Sequence, residues 1–169
     1  MQQKKAIAIL GLGTNMGDKI QNIKEAIAFL KEAKINILKI SKVYQTPPWG
    51  FKAKDDFFNL AVKIETKLSP ILLLVEIKAI ELKMGRPIKL EAGYSSRLID
   101  IDIIDFNNET YNYHDLIIPH PYMQSRNFVL YPLRDLEPSY KHPILNKTIS
   151  QIIAELNDET IALVNIPAL

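Results

Sequence analysis

Two strand-like segments that follow one another without an intervening helix constrain the fold of this 169-residue chain most strongly. Residues 35–46 and 57–66 both alternate apolar and polar side chains, as strands covered on one face do. The stretch between them, 47–56, carries no helical pattern. Consecutive strands without a crossover helix pair antiparallel, which disfavours a doubly wound parallel sheet.

The flanking patterns complete the order of elements. A buried strand over 6–12 precedes a helix over about 18–31, and a second helix over about 69–85 precedes a strand over 97–104. The order strand–helix–strand–strand–helix–strand is that of the split βαβ arrangement. We therefore predict an α+β fold of the ferredoxin-like class, with an antiparallel four-stranded sheet and both helices on one face.

The chain beyond residue 107 is predicted to form a C-terminal extension of short strands and helices. Helical patterns cover 124–136 and 149–156, and the last dozen residues suit another strand. A length of 169 residues fits one domain with a sizeable core. Residues 1–169 are therefore expected to be a single domain.

Composition excludes several classes of protein. Apolar residues make up 47% and charged residues 24%, and the net charge of +2 is too small to indicate a nucleic-acid or membrane surface. The absence of cysteine excludes disulfides and thiolate-bound zinc. The apolar run near the N-terminus, Ala6 to Leu10, is shorter than a signal-peptide core or a membrane span. We expect a cytoplasmic protein.

Two aspartates interrupt the apolar strand over 97–104. Asp100 and Asp102 share one face of the strand, and the isoleucines between and beside them occupy the other. Carboxylates seldom lie in a buried strand unless a cation compensates them, and paired oxygen ligands suit Mg²⁺. Arg97 adds a fixed positive charge beside them. This pattern alone leaves open a metal–phosphate site and a solvated edge strand.

Other candidate groups are less specific. Gly11-x-Gly13 follows a strand, but Gly17 comes one residue late for a dinucleotide-binding motif, so the turn indicates a close approach to the backbone. His120 lies between two prolines in a rigid loop, where it suits a phosphate contact or a surface position.

Arginine and phenylalanine side chains are ambiguous in the same way. The guanidinium groups of Arg86, Arg97 and Arg126 match phosphate oxygens, although most arginines lie on solvated faces. Phe57 and Phe128 suit core packing as well as a binding site.

Six motifs together resemble the 6-hydroxymethyl-7,8-dihydropterin pyrophosphokinase family, over about residues 6 to 156. They are Tyr44-Gln45-Thr46-Pro47-Pro48, Phe57-Phe58-Asn59, Ile80-Glu81-Leu82-x-x-Gly85-Arg86, Arg97-x-x-Asp100-x-Asp102, Ile118-Pro119-His120-Pro121 and Arg126-x-Phe128. The resemblance implies transfer of the β,γ-pyrophosphoryl group of ATP to the hydroxymethyl oxygen of a dihydropterin, with release of AMP, in folate biosynthesis. It implies two Mg²⁺ ions as cofactors and ATP as co-substrate. The partners are expected to be small molecules, without nucleic acid or membrane, and the state a monomer or weak homodimer.

The resemblance also assigns roles to single residues. Asp100 and Asp102 would hold the Mg²⁺ ions, and the residues with a catalytic role at the phosphates would be Arg86, Arg97 and His120. The pterin would be bound by Gly13, Thr46, Pro47, Trp49, Phe57, Asn59 and Phe128. The nucleotide would be bordered by Glu81, Ile103, His120 and Arg126.

Several positions depart from the family pattern. Lys78 stands where glutamine often contacts the nucleotide, and Asp115, Ile117 and Pro121 replace an arginine, a threonine and a tyrosine near the adenosine. Two alternatives stay open, a non-catalytic ATP-binding protein and an RNA-binding ferredoxin-like module. The RNA-binding alternative lacks the K/R-G-F/Y-G/A-F-V-x-F/Y signature.

Overall fold

A central β-sheet positions every other element of the molecule. The computed structural model describes residues 4–85 and 96–169. The strands are β1 (Ala6–Thr14), β2 (Asn36–Ile40), β3 (Val43–Thr46), β4 (Phe57–Thr66), β5 (Asp100–Phe106), β6 (Tyr111–Tyr113), β7 (Leu116–Ile118) and β8 (Ala162–Val164). The helices are α1 (Lys19–Glu32), α2 (Pro70–Lys83), α3 (Asn127–Leu136) and α4 (Ile149–Leu156), with a 3-10 turn at Met123–Ser125.

The sheet has the order β5–β1–β4–β3–β8, with β2 also paired to β4, and β6 and β7 form a separate hairpin. All of these pairs are antiparallel. Strand β1 therefore has β4 on one side and β5 on the other. Its register places Gly13 opposite both Asn59 and Asp100, and Gly11 opposite both Ala61 and Asp102. Two glycines of β1 thus separate Asn59 of β4 from the two aspartates of β5.

The mixed α and β class with an antiparallel sheet is confirmed, but the predicted count of four strands is wrong. Within residues 4–85 and 96–169 the sheet has six strands, because the predicted strand over 35–46 divides into β2 and β3 and because β8 adds to the outer edge of β3. The division falls at Ser41. Its hydroxyl accepts a hydrogen bond from the Ala61 N–H at 2.8 Å, and its own N–H donates to the Ala61 carbonyl at 2.9 Å. A side chain thus replaces one backbone partner at the break.

Helices cover both faces of the sheet. Helices α1 and α2 lie on one face, where Ile23 and Ile77 pack with strand residues such as Leu10 and Ile101. The two helices predicted to share a face do so. Helices α3 and α4 cover the opposite face, where their apolar side chains pack with Ile9, Ala61 and Ile104. Because side chains alternate along β1 and β5, each strand supplies both cores.

Local capping explains where the helices begin. Asp18 caps α1 by accepting from the Gln21 N–H at 3.0 Å, and Ser69 caps α2 by accepting from the Leu72 N–H at 3.3 Å. The helix predicted over 124–136 begins later, at Asn127, because Arg126 has an extended backbone. Among the helices of residues 4–85 and 96–169, none is long and apolar enough to cross a membrane.

Ser41 provides a test of how the divided strand is held. Ser41→Ala leaves the buried Ala61 N–H without its hydroxyl acceptor, which should lower the free energy of unfolding by about 1–3 kcal/mol. Urea denaturation measures this loss. Ser150→Ala, at an exposed position in α4, is the matched control and should change stability by no more than about 0.5 kcal/mol. Equal stability of the two variants would show that the Ser41 hydroxyl does not support the break.

Candidate active site

A pocket lies beside α3 on the face of the sheet that α3 and α4 cover. It brings together eleven of the residues that the sequence predicted for the site, and these residues are Gly13, Thr46, Pro47, Trp49, Phe57, Asn59, Arg97, Asp100, Asp102, Arg126 and Phe128. They come from strands, loops and the start of α3, so the fold assembles the pocket from distant parts of the chain. One end of the pocket is acidic and the other is aromatic and amide-lined.

The acidic end is formed by the two aspartates of β5. The Asp100 carboxylate forms an ion pair with the Arg97 guanidinium at 3.0 Å. Asp102 is half-buried, and burial together with the Asp100 carboxylate raises the pKa of Asp102 to about 6, against the opposing charges of Lys78 and Arg126. The carboxylate pair is therefore under-neutralised and attracts a further cation.

The carboxylates suit a cation that they share with another ligand. Within the described residues, no group of three or more His, Asp or Glu side chains is arranged to hold a metal ion. Mg²⁺ is commonly held by one or two carboxylates, with waters and substrate phosphates completing its shell. Asp100 and Asp102 therefore fit Mg²⁺ bound together with a polyphosphate.

Arg97 is held in place by a residue that the sequence analysis missed. The buried side chain of Asn15, directly after β1, accepts from the Arg97 N–H at 2.8 Å and donates to the Ser96 hydroxyl at 3.0 Å. The Asn15 N–H also donates to the Arg97 carbonyl at 3.2 Å. The only signal in the sequence was a polar residue at a strand end, which is too common to identify this contact.

The other end of the pocket is a slot with a fixed amide. The buried Asn59 side chain donates to the Thr46 hydroxyl at 2.8 Å, which orients its amide. A Cβ atom added to Gly13 would lie 3.0 Å from Asn59 Oδ1 and 3.6 Å from the Phe57 ring. Glycine at this position therefore keeps space open beside the amide and the ring. The slot suits a flat ligand whose edge forms hydrogen bonds.

Aromatic side chains and one arginine form the wall of the pocket. The buried Arg126 guanidinium lies 4.4 Å from the centre of the Trp49 ring and 5.6 Å from that of Phe128. Phe51 was not predicted as a site residue, but it lines the pocket and meets Phe57 edge to face at 6.1 Å. An aromatic residue in the polar loop 47–56 was the signal that could have identified Phe51.

His120 lies outside the pocket lining but close to its charges. Its backbone N–H donates to the Ile104 carbonyl at 3.0 Å, and its Nδ1 accepts from the Tyr122 N–H at 3.2 Å. Burial and the charge of Arg126 lower the pKa of His120 to about 4, while Asp100 opposes the shift. At neutral pH the ring is therefore neutral with its proton on Nε2, which can donate a hydrogen bond.

Two further predicted residues, Glu81 and Ile103, do not line the pocket. Glu81 is buried and accepts a hydrogen bond from the Ile101 N–H at 2.6 Å, and the Ile103 side chain packs in the core beneath α1 and α2. The prediction that their side chains border the nucleotide therefore gains no direct support from their positions. Arg86 lies outside the described residues.

The protonation of His120 can be measured directly. We expect its NMR titration midpoint near pH 4, so that the folded state loses stability as the pH falls from about 6.5 toward 4, where the unfolded chain binds the proton more readily. Arg126→Met should raise the midpoint, though not to the ordinary value, because burial is the larger cause. Arg134→Met is the control and should leave it unchanged. A wild-type midpoint near 6.5 would contradict the assignment.

Comparison with known proteins shows the family. Residues 9–138 match the sequence model of 7,8-dihydro-6-hydroxymethylpterin-pyrophosphokinase (HPPK). A 2-amino-4-hydroxy-6-hydroxymethyldihydropteridine pyrophosphokinase of Aquifex aeolicus is 40% identical over 150 residues, which cover 89% of this chain and 92% of the relative. The enzyme of the same name from Bacillus subtilis is 39% identical over 131 residues, which are 77% of each chain.

Longer proteins contain a similar region. The folic acid synthesis protein of Dictyostelium discoideum is 42% identical over 146 residues, but this chain spans only 22% of it. The crystal structure of Plasmodium falciparum HPPK-DHPS with pteroate has a TM-score of 0.78 at 21% identity, over 98% of this chain and 49% of the other. That structure shows a shared fold. The family match and the bacterial relatives show that the chain belongs to the 7,8-dihydro-6-hydroxymethylpterin-pyrophosphokinase family.

Proposed function

We propose that this protein transfers pyrophosphate from ATP to 6-hydroxymethyl-7,8-dihydropterin, giving the pterin diphosphate and AMP in folate biosynthesis. The observation that carries the proposal is the register of β1, in which Gly13 lies between Asn59 of the slot and Asp100 of the acidic end. A site for a flat heterocycle thus adjoins a site for a metal-bound polyphosphate. The family membership supports the same reaction.

The catalytic unit is residues 1–169 as one domain, with the ferredoxin-like part from β1 to β5 carrying the site. We propose a cytoplasmic monomer or weak homodimer that binds small molecules, without nucleic acid or membrane.

The slot is proposed to bind the pterin. Phe57 and Phe128 supply ring faces, and Asn59 supplies an oriented amide for the heterocycle edge. Thr46, Pro47 and Trp49 line the same pocket, and the bare backbone of Gly13 leaves room for the ring. These residues would direct the hydroxymethyl group toward the aspartates of β5, which lies on the other side of β1.

The cationic groups are proposed to bind the ATP phosphates. Arg97 and Arg126 line the pocket, and the neutral His120 ring donates from Nε2. Arg86, as the resemblance implies, would contribute a further phosphate contact. Glu81 and Ile103 are proposed to border the nucleotide only indirectly, through the backbone of β5, because both side chains are buried and neither lines the pocket.

Asp100 and Asp102 would hold two Mg²⁺ ions. When bound, these ions neutralise the charge that develops on the triphosphate. The chain itself supplies orientation, because Arg97 holds Asp100 and the slot holds the pterin. The hydroxymethyl oxygen then attacks the β-phosphorus and loses its proton, while the bond to the α–β bridging oxygen breaks and AMP leaves.

The reaction is tested by following both products. Purified protein with Mg-ATP should form AMP and a pterin diphosphate in equal amounts, as seen by ³¹P NMR and chromatography, and should form neither when the pterin is omitted. ADP formation, or AMP formation that does not depend on the pterin, would contradict the proposal. ATP binding without turnover would favour the non-catalytic alternative.

The carboxylate pair gives a prediction about turnover. Asp100→Asn and Asp102→Asn should each reduce transition-state stabilisation by about 3 kcal/mol or more, which is a loss of roughly 100-fold in kcat. Calorimetry should show that pterin affinity is largely retained. Asp158→Asn, outside the pocket, is the control. Near wild-type turnover of either variant at saturating Mg²⁺ would disprove its role as a metal ligand.

Glycine substitutions test the slot. Gly13→Ala should weaken pterin binding by roughly tenfold, about 1.4 kcal/mol, because its Cβ would crowd the fixed Asn59 amide at 3.0 Å. Gly11→Ala meets only the flexible end of Ile104, at 3.2 Å, and should weaken binding much less. Calorimetric titration with pterin and with ATP measures both variants. Equal losses for the two substitutions would show that the space beside Asn59 is not the pterin slot.

A further inference from the structure

An ion pair on α2 forms hydrogen bonds with the backbone of Ile101, the β5 residue that lies between the two aspartates of the acidic end. The Ile101 N–H donates to Glu81 Oε1 at 2.6 Å, and Lys78 Nζ donates to the Ile101 carbonyl at 3.2 Å. Lys78 Nζ also lies 3.1 Å from each carboxylate oxygen of Glu81. Both backbone groups of one residue are therefore bound by one pair of side chains. We name the Lys78–Glu81 pair the edge clamp.

The position of β5 in the sheet explains why its backbone is available to the clamp. The strand is the first in the sheet order, so within the described residues it has a strand partner, β1, on one side only. In an antiparallel pair, successive residues alternate between exchanging bonds with the partner and facing away from it. Ile101 directs its N–H and carbonyl toward α2, and its neighbours Asp100 and Asp102 lie opposite Gly13 and Gly11.

The two charged side chains of the clamp differ in their exposure to solvent. The Glu81 side chain is 3% exposed, whereas that of Lys78 is 43% exposed. A cation and hydrogen bonds offset the cost of burying a carboxylate, and Glu81 has both from Lys78 and Ile101. Glu81 is thus held in the protein interior, and Lys78 contacts it from the solvent-exposed side.

We propose that Lys78 and Glu81 are positioning residues for the Mg²⁺ site. By binding both backbone groups of Ile101, they hold the segment from which the Asp100 and Asp102 carboxylates project. The inference rests on the proposed function, because it takes these aspartates as the metal ligands. Glu81 acts in this way through Ile101 rather than by touching the nucleotide.

A charge-conserving double variant separates positioning from electrostatics. Changing Glu81 alone removes a negative charge near the metal, and changing Lys78 alone removes a positive one, so either single variant alters metal affinity through the field. Lys78→Met combined with Glu81→Met keeps the local net charge and removes both backbone contacts. Replacement of a buried ion pair by apolar residues of similar size is commonly tolerated, so the variant should fold.

A second ion pair, which joins α2 to α1, supplies the control. Lys83 and Glu32 lie 3.2 Å apart with side chains 59% and 64% exposed, and neither lines the pocket. Lys83→Met combined with Glu32→Met makes the same chemical change away from β5. Lys78→Arg, which keeps a cation able to bind Glu81 and the Ile101 carbonyl, tests whether function is retained by a conservative change.

The readouts are Mn²⁺ affinity of the nucleotide-free protein, measured by electron paramagnetic resonance, amide exchange of Ile101 by NMR, and KM for Mg-ATP. The clamp double variant should bind Mn²⁺ about 10-fold or more weakly, as is typical when residues that orient metal ligands are lost. Its Ile101 N–H should exchange faster and its KM for Mg-ATP should rise, while pterin affinity changes little. The control double variant should match wild type, and Lys78→Arg should lie close to it.

The outcomes distinguish the two proposals. Unchanged Mn²⁺ affinity in the clamp double variant, with only a loss of stability, would overturn the positioning role and leave the proposed function intact. If Asp100→Asn and Asp102→Asn do not weaken Mn²⁺ binding by the wild-type protein, the metal site itself is wrong, and both proposals fail.

Discussion

Antiparallel pairing of β1 with a strand on each side is the interaction on which the rest of the structure depends. It places the slot residues of β4 and the carboxylates of β5 one strand apart, with Gly11 and Gly13 between them. Larger side chains at these two glycines would meet Ile104 and Asn59. The same pairing directs alternate side chains of β1 and β5 into two cores, which attach α1 and α2 to one face and α3 and α4 to the other. Site and scaffold therefore share one hydrogen-bonded frame.

Negative charge is incompletely neutralised at one place in this sheet, the carboxylate pair Asp100 and Asp102. Three charged residues near β5 have specific contacts: Arg97 with Asn15, Glu81 with the Ile101 N–H, and Arg126 with the Trp49 ring. Asp102 nonetheless keeps a raised pKa, because burial and Asp100 outweigh the cations around it. A divalent cation would stabilise such a site, and a polyphosphate would supply the remaining ligands of that cation. The neighbouring histidine stays neutral and adds a donor without adding charge.

Sequence patterns predicted the elements that local rules govern. The period of apolar side chains located α1 and α2, and the alternation along β5 correctly placed Asp100 and Asp102 on one face of that strand. Sequence patterns could not predict long-range contacts. Examples are the hydrogen bond between Ser41 and Ala61, the pairing of β8 with β3, and the contact of Asn15 with Arg97, which join residues far apart in the chain. The resemblance to a family identified most of the residues that line the pocket, but it could not show that the side chains of Glu81 and Ile103 are buried.

A crystal structure of the protein with Mn²⁺, a non-hydrolysable ATP analogue and the pterin would test the central claim most directly. Anomalous scattering should show two ions about 4 Å apart, bridging the phosphates to the carboxylates of Asp100 and Asp102. The pterin should lie between Phe57 and Phe128, with its edge on Asn59. Ions bound elsewhere, or phosphates that approach neither aspartate, would contradict the claim that β5 carries the metal site.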